Sequence, residues 1–83
     1  MFYLAAAYSD KDPNVEEKRL DDINRAAGKL IVGGERVFSP LSHGVPIAKL
    51  NPQLGSDAKS WEDHNREMLE HCYNIILYIR LFQ

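Results

Sequence analysis

The sequence has little of what marks a secreted, membrane or nucleic-acid-binding protein. It contains one cysteine, Cys72, so no internal disulfide can form and nothing requires an oxidising compartment. It has no run of about 18 apolar residues for a membrane span, and Met1 leads into apolar residues, not into a basic signal region. Acidic residues outnumber basic ones, 12 to 10, whereas nucleic-acid binders cluster Lys and Arg against phosphates. We expect a cytoplasmic protein without membrane or nucleic-acid polymer partners.

The common enzyme and metal signatures are also absent. The sequence has no GxGxxG, no phosphate-binding lysine loop, no GxSxG elbow and no paired cysteines. His64 and His71 lie about two turns apart on one predicted helix, while His43 belongs to another segment, so their spacing does not form a metal site. We therefore expect no cofactor and no bound metal.

The length sets a limit on stability. Residues 1–83 form one domain, and a domain of this size buries only roughly 60–65% of the surface that its unfolded chain exposes. A composition of 45% hydrophobic and 27% charged residues is that of an ordinary globular protein. Because the core is small, we expect subunits to associate.

The first nine residues, MFYLAAAYS, organise the predicted fold. Residues 2–8 are apolar throughout and do not alternate, which is typical of a strand covered on both faces in a parallel sheet. The segment ends in small and hydroxyl-bearing residues, and open α/β sheets bind ligands outside the carboxyl ends of their strands. We expect Ala5 to Ser9 to line such a crevice.

Two helices are predicted from apolar spacing and capping residues. The first covers about residues 14–32, with either Asp12 or Asn14 as its cap, and Gly33-Gly34 ends it. The second covers about residues 58–71, after a cap at Ser56 or Asp57.

Two further strands follow from the β-prone segments. A short strand at residues 37–41 has Pro40 at its carboxyl end, before a polar turn at residues 42–44. Residues 45–56 are predicted as a loop with one helical turn, and residues 75–82 as the last strand. The order strand, helix, strand, loop, helix, strand predicts a parallel α/β sheet of about three strands with right-handed crossovers.

Polar residues at two places could bind a ligand. The predicted turn puts Ser39 and His43 at the same end of the sheet as Ala5 to Ser9, where His43 could donate to a phosphate or ribose oxygen or, alternatively, bond the backbone of its own turn. Asn65 shares a helical face with Trp61 and Met68, so its carboxamide either satisfies a backbone group or binds sugar hydroxyls. The candidate ligand-binding residues are Ala5, Ala6, Tyr8, Ser9, Ser39, His43 and Asn65.

Several segments carry a family likeness: YLAAAYS at 3–9, NRAAGKLI at 24–31, VFSPLSHGVPIA at 37–48, Asp57, Trp61, and LEHC at 69–72. Through them the chain resembles a small bacterial and phage family of unknown function (DUF1937-like) that is related to the nucleoside 2-deoxyribosyltransferases. The resemblance implies a small three-layer flavodoxin-like sheet, truncated to about three strands, that holds a nucleoside or nucleotide at the ends of its first two strands. In the transferase relatives a glutamate attacks the anomeric carbon of the sugar, and oligomers complete the pockets.

The chain departs from the transferase pattern at several points. Ala7 stands where a proline is usual, and Asn65 stands where a sugar-binding aspartate is usual. The reacting glutamate belongs to a helix after the next strand, and this sequence ends at Gln83 before such a helix. We therefore expect a nucleoside- or nucleotide-binding protein of reduced catalytic capacity. The alternatives are a transferase or N-glycoside hydrolase, with a carboxylate from Asp57, Asp63 or a partner subunit, and an interaction module without a ligand.

Self-association is the last expectation. In the strand order two-one-three of the family, residues Ile75 to Phe82 would form a long apolar edge, and such edges recruit another chain. We expect a homo-oligomer that buries this strand or the helix carrying Trp61.

Overall fold

The computed structural model describes residues 1–54 and 58–78, and the structural statements below concern these residues. The elements in chain order are strand β1 (Phe2–Ala6), helix α1 (Pro13–Val32), strand β2 (Val37–Phe38), helix α2 (Pro40–Lys49), a 3-10 turn (Pro52–Leu54), helix α3 (Ala58–Glu70) and strand β3 (Asn74–Tyr78). No helix in this part of the chain has both the length and the apolar character needed to cross a bilayer.

The three strands form one parallel sheet in the order β2-β1-β3. Strand β1 is central: Phe2 pairs with Val37 on one side and with Asn74 on the other. The register with β3 continues to Ala6, opposite Tyr78. The predicted small α/β fold with a three-strand parallel sheet, consistent with a truncated flavodoxin-like layout, is therefore confirmed.

The core lies between β1 and α1. Leu4 and Ile23 are each 1% exposed, and Ala27 packs beside them. Ile23 and Ala27 lie four residues apart on α1, which is the spacing that puts two side chains on one helical face. Ala6, Val37, Leu41 and Ile76 pack around this cluster from the other elements. The core thus centres on Leu4 and one face of α1, with further packing from β2, α2 and β3.

Helix α1 begins and ends as its sequence predicts. Asp12 is the N-cap, where its Oδ1 accepts a hydrogen bond of 2.9 Å from the N–H of Asn14, and Pro13 takes the first helical position. At the other end Gly34 has a φ of 97°, which glycine adopts at no steric cost.

Helix α2 replaces the turn and loop predicted after β2. Pro40 begins the helix, so β2 ends at Phe38, and Ser42, His43 and Gly44 are helical. The prediction was wrong because Gly44 and Pro46 are both poor helix formers. Tertiary packing outweighs that preference: α2 packs against α1 and β1, and Gly44 lies beside the Trp61 ring, where an added Cβ would make an ordinary contact at 3.6 Å.

The remaining boundaries differ at strand ends. Strand β1 ends at Ala6 and not at residue 8. Strand β3 begins at Asn74, while residues 79–82 of the predicted strand and both predicted caps of α3, Ser56 and Asp57, lie outside the described residues.

Candidate functional site

A cavity of about 640 Å³ lies at the carboxyl end of β1. Strand β1 and the loop after it form one wall with Tyr3, Ala5, Ala6, Tyr8 and Ser9, and α1 contributes Glu16. Helices α2 and α3 form the rest of the described lining: Pro40, Leu41, Gly44, Val45, Ala48, Lys49, Trp61 and Asn65. Ligand cavities in proteins commonly occupy about 300–1,000 Å³, so this one has the size of a small-molecule site.

The structure brings five of the seven predicted site residues together. Ala5, Ala6, Tyr8, Ser9 and Asn65 line the cavity, although they come from both ends of the sequence. Their role in binding a ligand stays a prediction. The small side chain of Ala5 leaves space on the cavity side of the strand, while Ala6 at the strand end also packs against the core.

Ser39 and His43 do not line the cavity. Ser39 is the N-cap residue of α2, and its hydroxyl lies 2.7 Å from that of Ser42, which in turn donates to Asn24 on α1. These hydroxyls therefore join α2 to α1.

His43 lies on the exposed side of the α2–α3 contact. Its imidazole stacks on that of His64, with ring centroids 4.9 Å apart and planes within 1° of parallel. The Trp61 ring meets both imidazoles edge-on. The predicted loop histidine is instead a helical residue that packs against α3, because α2 begins at Pro40.

Asn65 has an unusual hydrogen-bonding state. Its side-chain Oδ1 is buried, and no hydrogen bond reaches it from the described residues. A buried acceptor without a donor costs about 1–3 kcal/mol, and such groups are rare in folded proteins. Within the described residues no backbone N–H donates to this oxygen, and a role of the carboxamide in binding sugar hydroxyls stays a prediction. Asn65 also lines the cavity, so a ligand bound there would lie beside its carboxamide.

Glu16 is the carboxylate of the described lining, and it was not among the predicted site residues. Its Oε2 accepts a hydrogen bond of 3.1 Å from the N–H of Asp10. Burial raises the pKa of the Tyr8 hydroxyl above its ordinary value of 10.0, and the negative charge of Glu16 raises that pKa further. An acid in the first turn of the helix that follows a site loop was the signal that could have identified it.

Arg19 fixes the loop between β1 and α1. One guanidinium nitrogen, Nη1, donates to the carbonyl oxygens of Tyr8 at 3.3 Å and Ser9 at 2.8 Å. The other, Nη2, lies 3.6 Å from a carboxylate oxygen of Asp10. Helix α1 thus holds the loop that carries Tyr8 and Ser9 against the cavity.

The site offers no metal centre in the part of the chain that the structure describes. No group of three His, Cys, Asp or Glu side chains there is placed to hold an ion. His43 and His64 form a stacked pair, and no third ligand joins them within the described residues.

These features define a small parallel α/β domain with a largely apolar cavity that carries a few polar groups, at the end of its central strand. Residues 1–80 match the model of a family described as a domain of unknown function (DUF1937), and the chain belongs to that family. No curated protein matches the chain, and no solved structure does.

Proposed function

We propose that this protein binds a nucleoside- or nucleotide-like ligand in the cavity beside β1 and turns it over weakly or not at all. Such a protein would sequester or sense a ribose-containing metabolite in the cytoplasm. The proposal combines the resemblance to nucleoside 2-deoxyribosyltransferases with the chemistry of the cavity wall. The buried Oδ1 of Asn65 is the observation that carries it, because this oxygen needs a donor such as a sugar hydroxyl.

The other walls suit the same ligand. Tyr3, Tyr8 and Trp61 supply aromatic surface for a flat base, and Glu16 supplies a second acceptor. Small-molecule sites of this kind combine an apolar lining with a few polar groups that fix orientation.

Catalysis has less support than binding. Asp63 is exposed on α3 and is not in the lining, and Asp57 lies outside the described residues. Glu16 favours a second candidate function, cleavage or exchange of an N-glycosidic bond, since it is a carboxylate in the cavity. Release of free base from a panel of deoxynucleosides and nucleotides tests this second function.

A thermal-shift screen with the same panel tests binding. A ligand at about ten times its Kd adds roughly 1.4 kcal/mol to the free energy of unfolding, which raises the Tm of so small a domain by several degrees. We expect Asn65→Leu to lose this shift. Asn14→Leu, an equivalent change at an exposed position outside the cavity, should keep it.

The screen can also contradict the proposal. No shift with any nucleoside or nucleotide would reject the ligand and favour an interaction module without one. A shift that survives in Asn65→Leu would place the ligand elsewhere.

Self-association is a further part of the proposal. Strand β3 is an edge of the sheet within the described residues, and the Ile75 side chain is 55% exposed. Pairing of this edge or of the α3 surface with a second copy would bury it. We expect a dimer or larger assembly on gel filtration, and a monomer at micromolar concentration would contradict this part.

A further inference from the structure

We infer that the cavity selects the uncharged nucleoside over its phosphorylated form and that the carboxylate of Glu16 sets this preference. The inference rests on the proposed function and names the ligand class and the residue that discriminates. It follows from how the loop before α1 uses its own backbone donors.

A phosphate bound beside the start of a helix needs backbone N–H groups that point at it. Here the side chains of the protein itself already accept from these groups. The N–H of Asp10 donates to Oε2 of Glu16, that of Asp12 to Oδ1 of Asp10 at 2.9 Å, and that of Asn14 to Oδ1 of Asp12 at 2.9 Å. Carboxylates of the protein thus already accept from these three backbone donors at the start of α1.

The cations nearby do not reverse this charge. Arg19 contacts the carbonyl oxygens of Tyr8 and Ser9 and the carboxylate of Asp10, so its donors are directed at the loop. Lys49 lines the cavity from the last turn of α2. The residue is exposed, so water solvates its ammonium group.

The cavity wall therefore contains two acceptors that lack donors, beside the hydroxyl, ammonium and indole groups of Tyr8, Ser9, Lys49 and Trp61. Within the described residues Glu16 receives one hydrogen bond, through Oε2, and forms no ion pair. Asn65 Oδ1 receives none. A carboxylate accepts and cannot donate, and a phosphate group brings further acceptors and a charge of about −1.5 to −2. Hydroxyl and amino groups of a free nucleoside supply the missing donors.

Calorimetric titration with matched pairs, each nucleoside and its 5′-monophosphate at fixed ionic strength, tests the inference. We expect wild-type protein to bind the nucleoside about tenfold more tightly, the scale of a like-charge interaction at a half-buried site. Glu16→Gln should reduce that ratio to near one. Its amide oxygen can still accept from the N–H of Asp10, so the loop is retained. Glu17→Gln changes the same charge at an exposed neighbouring position and should leave the ratio unchanged.

The outcomes separate this inference from the function on which it rests. Equal or tighter binding of the monophosphate by wild-type protein overturns the inference and leaves a nucleotide-binding protein, and loss of that binding in Lys49→Met would then identify the cation responsible. An unchanged ratio in Glu16→Gln overturns the role of Glu16. Binding of neither compound overturns the proposed function itself.

Discussion

The two faces of strand β1 differ: one packs in the core and the other borders the cavity. On one face Leu4 is 1% exposed and packs against Ile23 and Ala27 of α1. On the other, Tyr3 and Ala5 border a cavity of about 640 Å³. Successive side chains of a strand point to opposite sides, so a single residue step separates the core from the candidate site. A domain of 83 residues can thus hold both because one strand serves both.

Removing the side chain at the centre of the packed face should have the largest effect. Leu4→Ala should lower the free energy of unfolding by roughly 3 kcal/mol, because it deletes buried methyl groups and leaves a void. The milder Ile23→Val should cost about 1 kcal/mol and remain folded. Urea denaturation measures both. Ala5→Ser, one residue away on the cavity face, should change stability far less, and an equal loss there would contradict the division between the faces.

A substitution at Asn65, which lines the cavity, should raise the free energy of unfolding instead of lowering it. Asn65→Leu removes a buried acceptor without a donor and should raise the free energy of unfolding by about 1 kcal/mol. Stability and ligand binding would then change in opposite senses at one residue. A loss of stability measured by denaturation would show that the amide has a structural task.

Two helical glycines allow the same glycine-to-alanine substitution to be compared at a position away from the cavity and at one that lines it. A Cβ at Gly28 meets nothing within 4 Å, so Gly28→Ala should add about 0.5–1 kcal/mol through the unfolded chain and the helix propensity of alanine. Gly44→Ala should gain similarly, since its Cβ meets the Trp61 ring at an ordinary 3.6 Å, but it narrows the cavity. We expect the rise in Tm that a ligand causes to be smaller in Gly44→Ala and unchanged in Gly28→Ala.

The smallest effect concerns alkaline pH. Because burial and Glu16 raise the pKa of Tyr8 in the folded protein, the unfolded chain ionises first. The contribution of Tyr8 to stability is complete below about pH 10 and is lost as the pH rises through the folded pKa. Tyrosinate absorbance, with Tyr8→Phe as the reference, should show a lower Tyr8 pKa in Glu16→Gln. No change would place the two groups too far apart to interact.

The sequence predicts the parts of this fold that depend on local pattern. The unbroken apolar run of β1 predicts a central parallel strand, and Asp12 with Pro13 and Gly34 predict both ends of α1. The position of Asn65 follows from its helical spacing with Trp61, since both line the cavity.

The features that sequence reasoning missed depend on contacts between elements. Gly44 and Pro46 argue against a helix, and α2 forms because it packs against α1 and β1, which no local sequence pattern indicates. That error placed His43 in a turn beside the cavity. Glu16 was not among the predicted site residues, because its hydrogen bond to Asp10 depends on how the loop folds back over the first turn of α1.

The contacts of Arg19 with residues 8–10 affect the thermodynamics of ligand binding. Its contacts with two carbonyl oxygens and a carboxylate order this segment when the chain folds. The conformational entropy of this loop is therefore lost during folding, and ligand binding does not need to order the loop again. Arg19→Met should leave the same surface available but add that entropic cost to each association, and calorimetry would record it as weaker binding with a less favourable entropy.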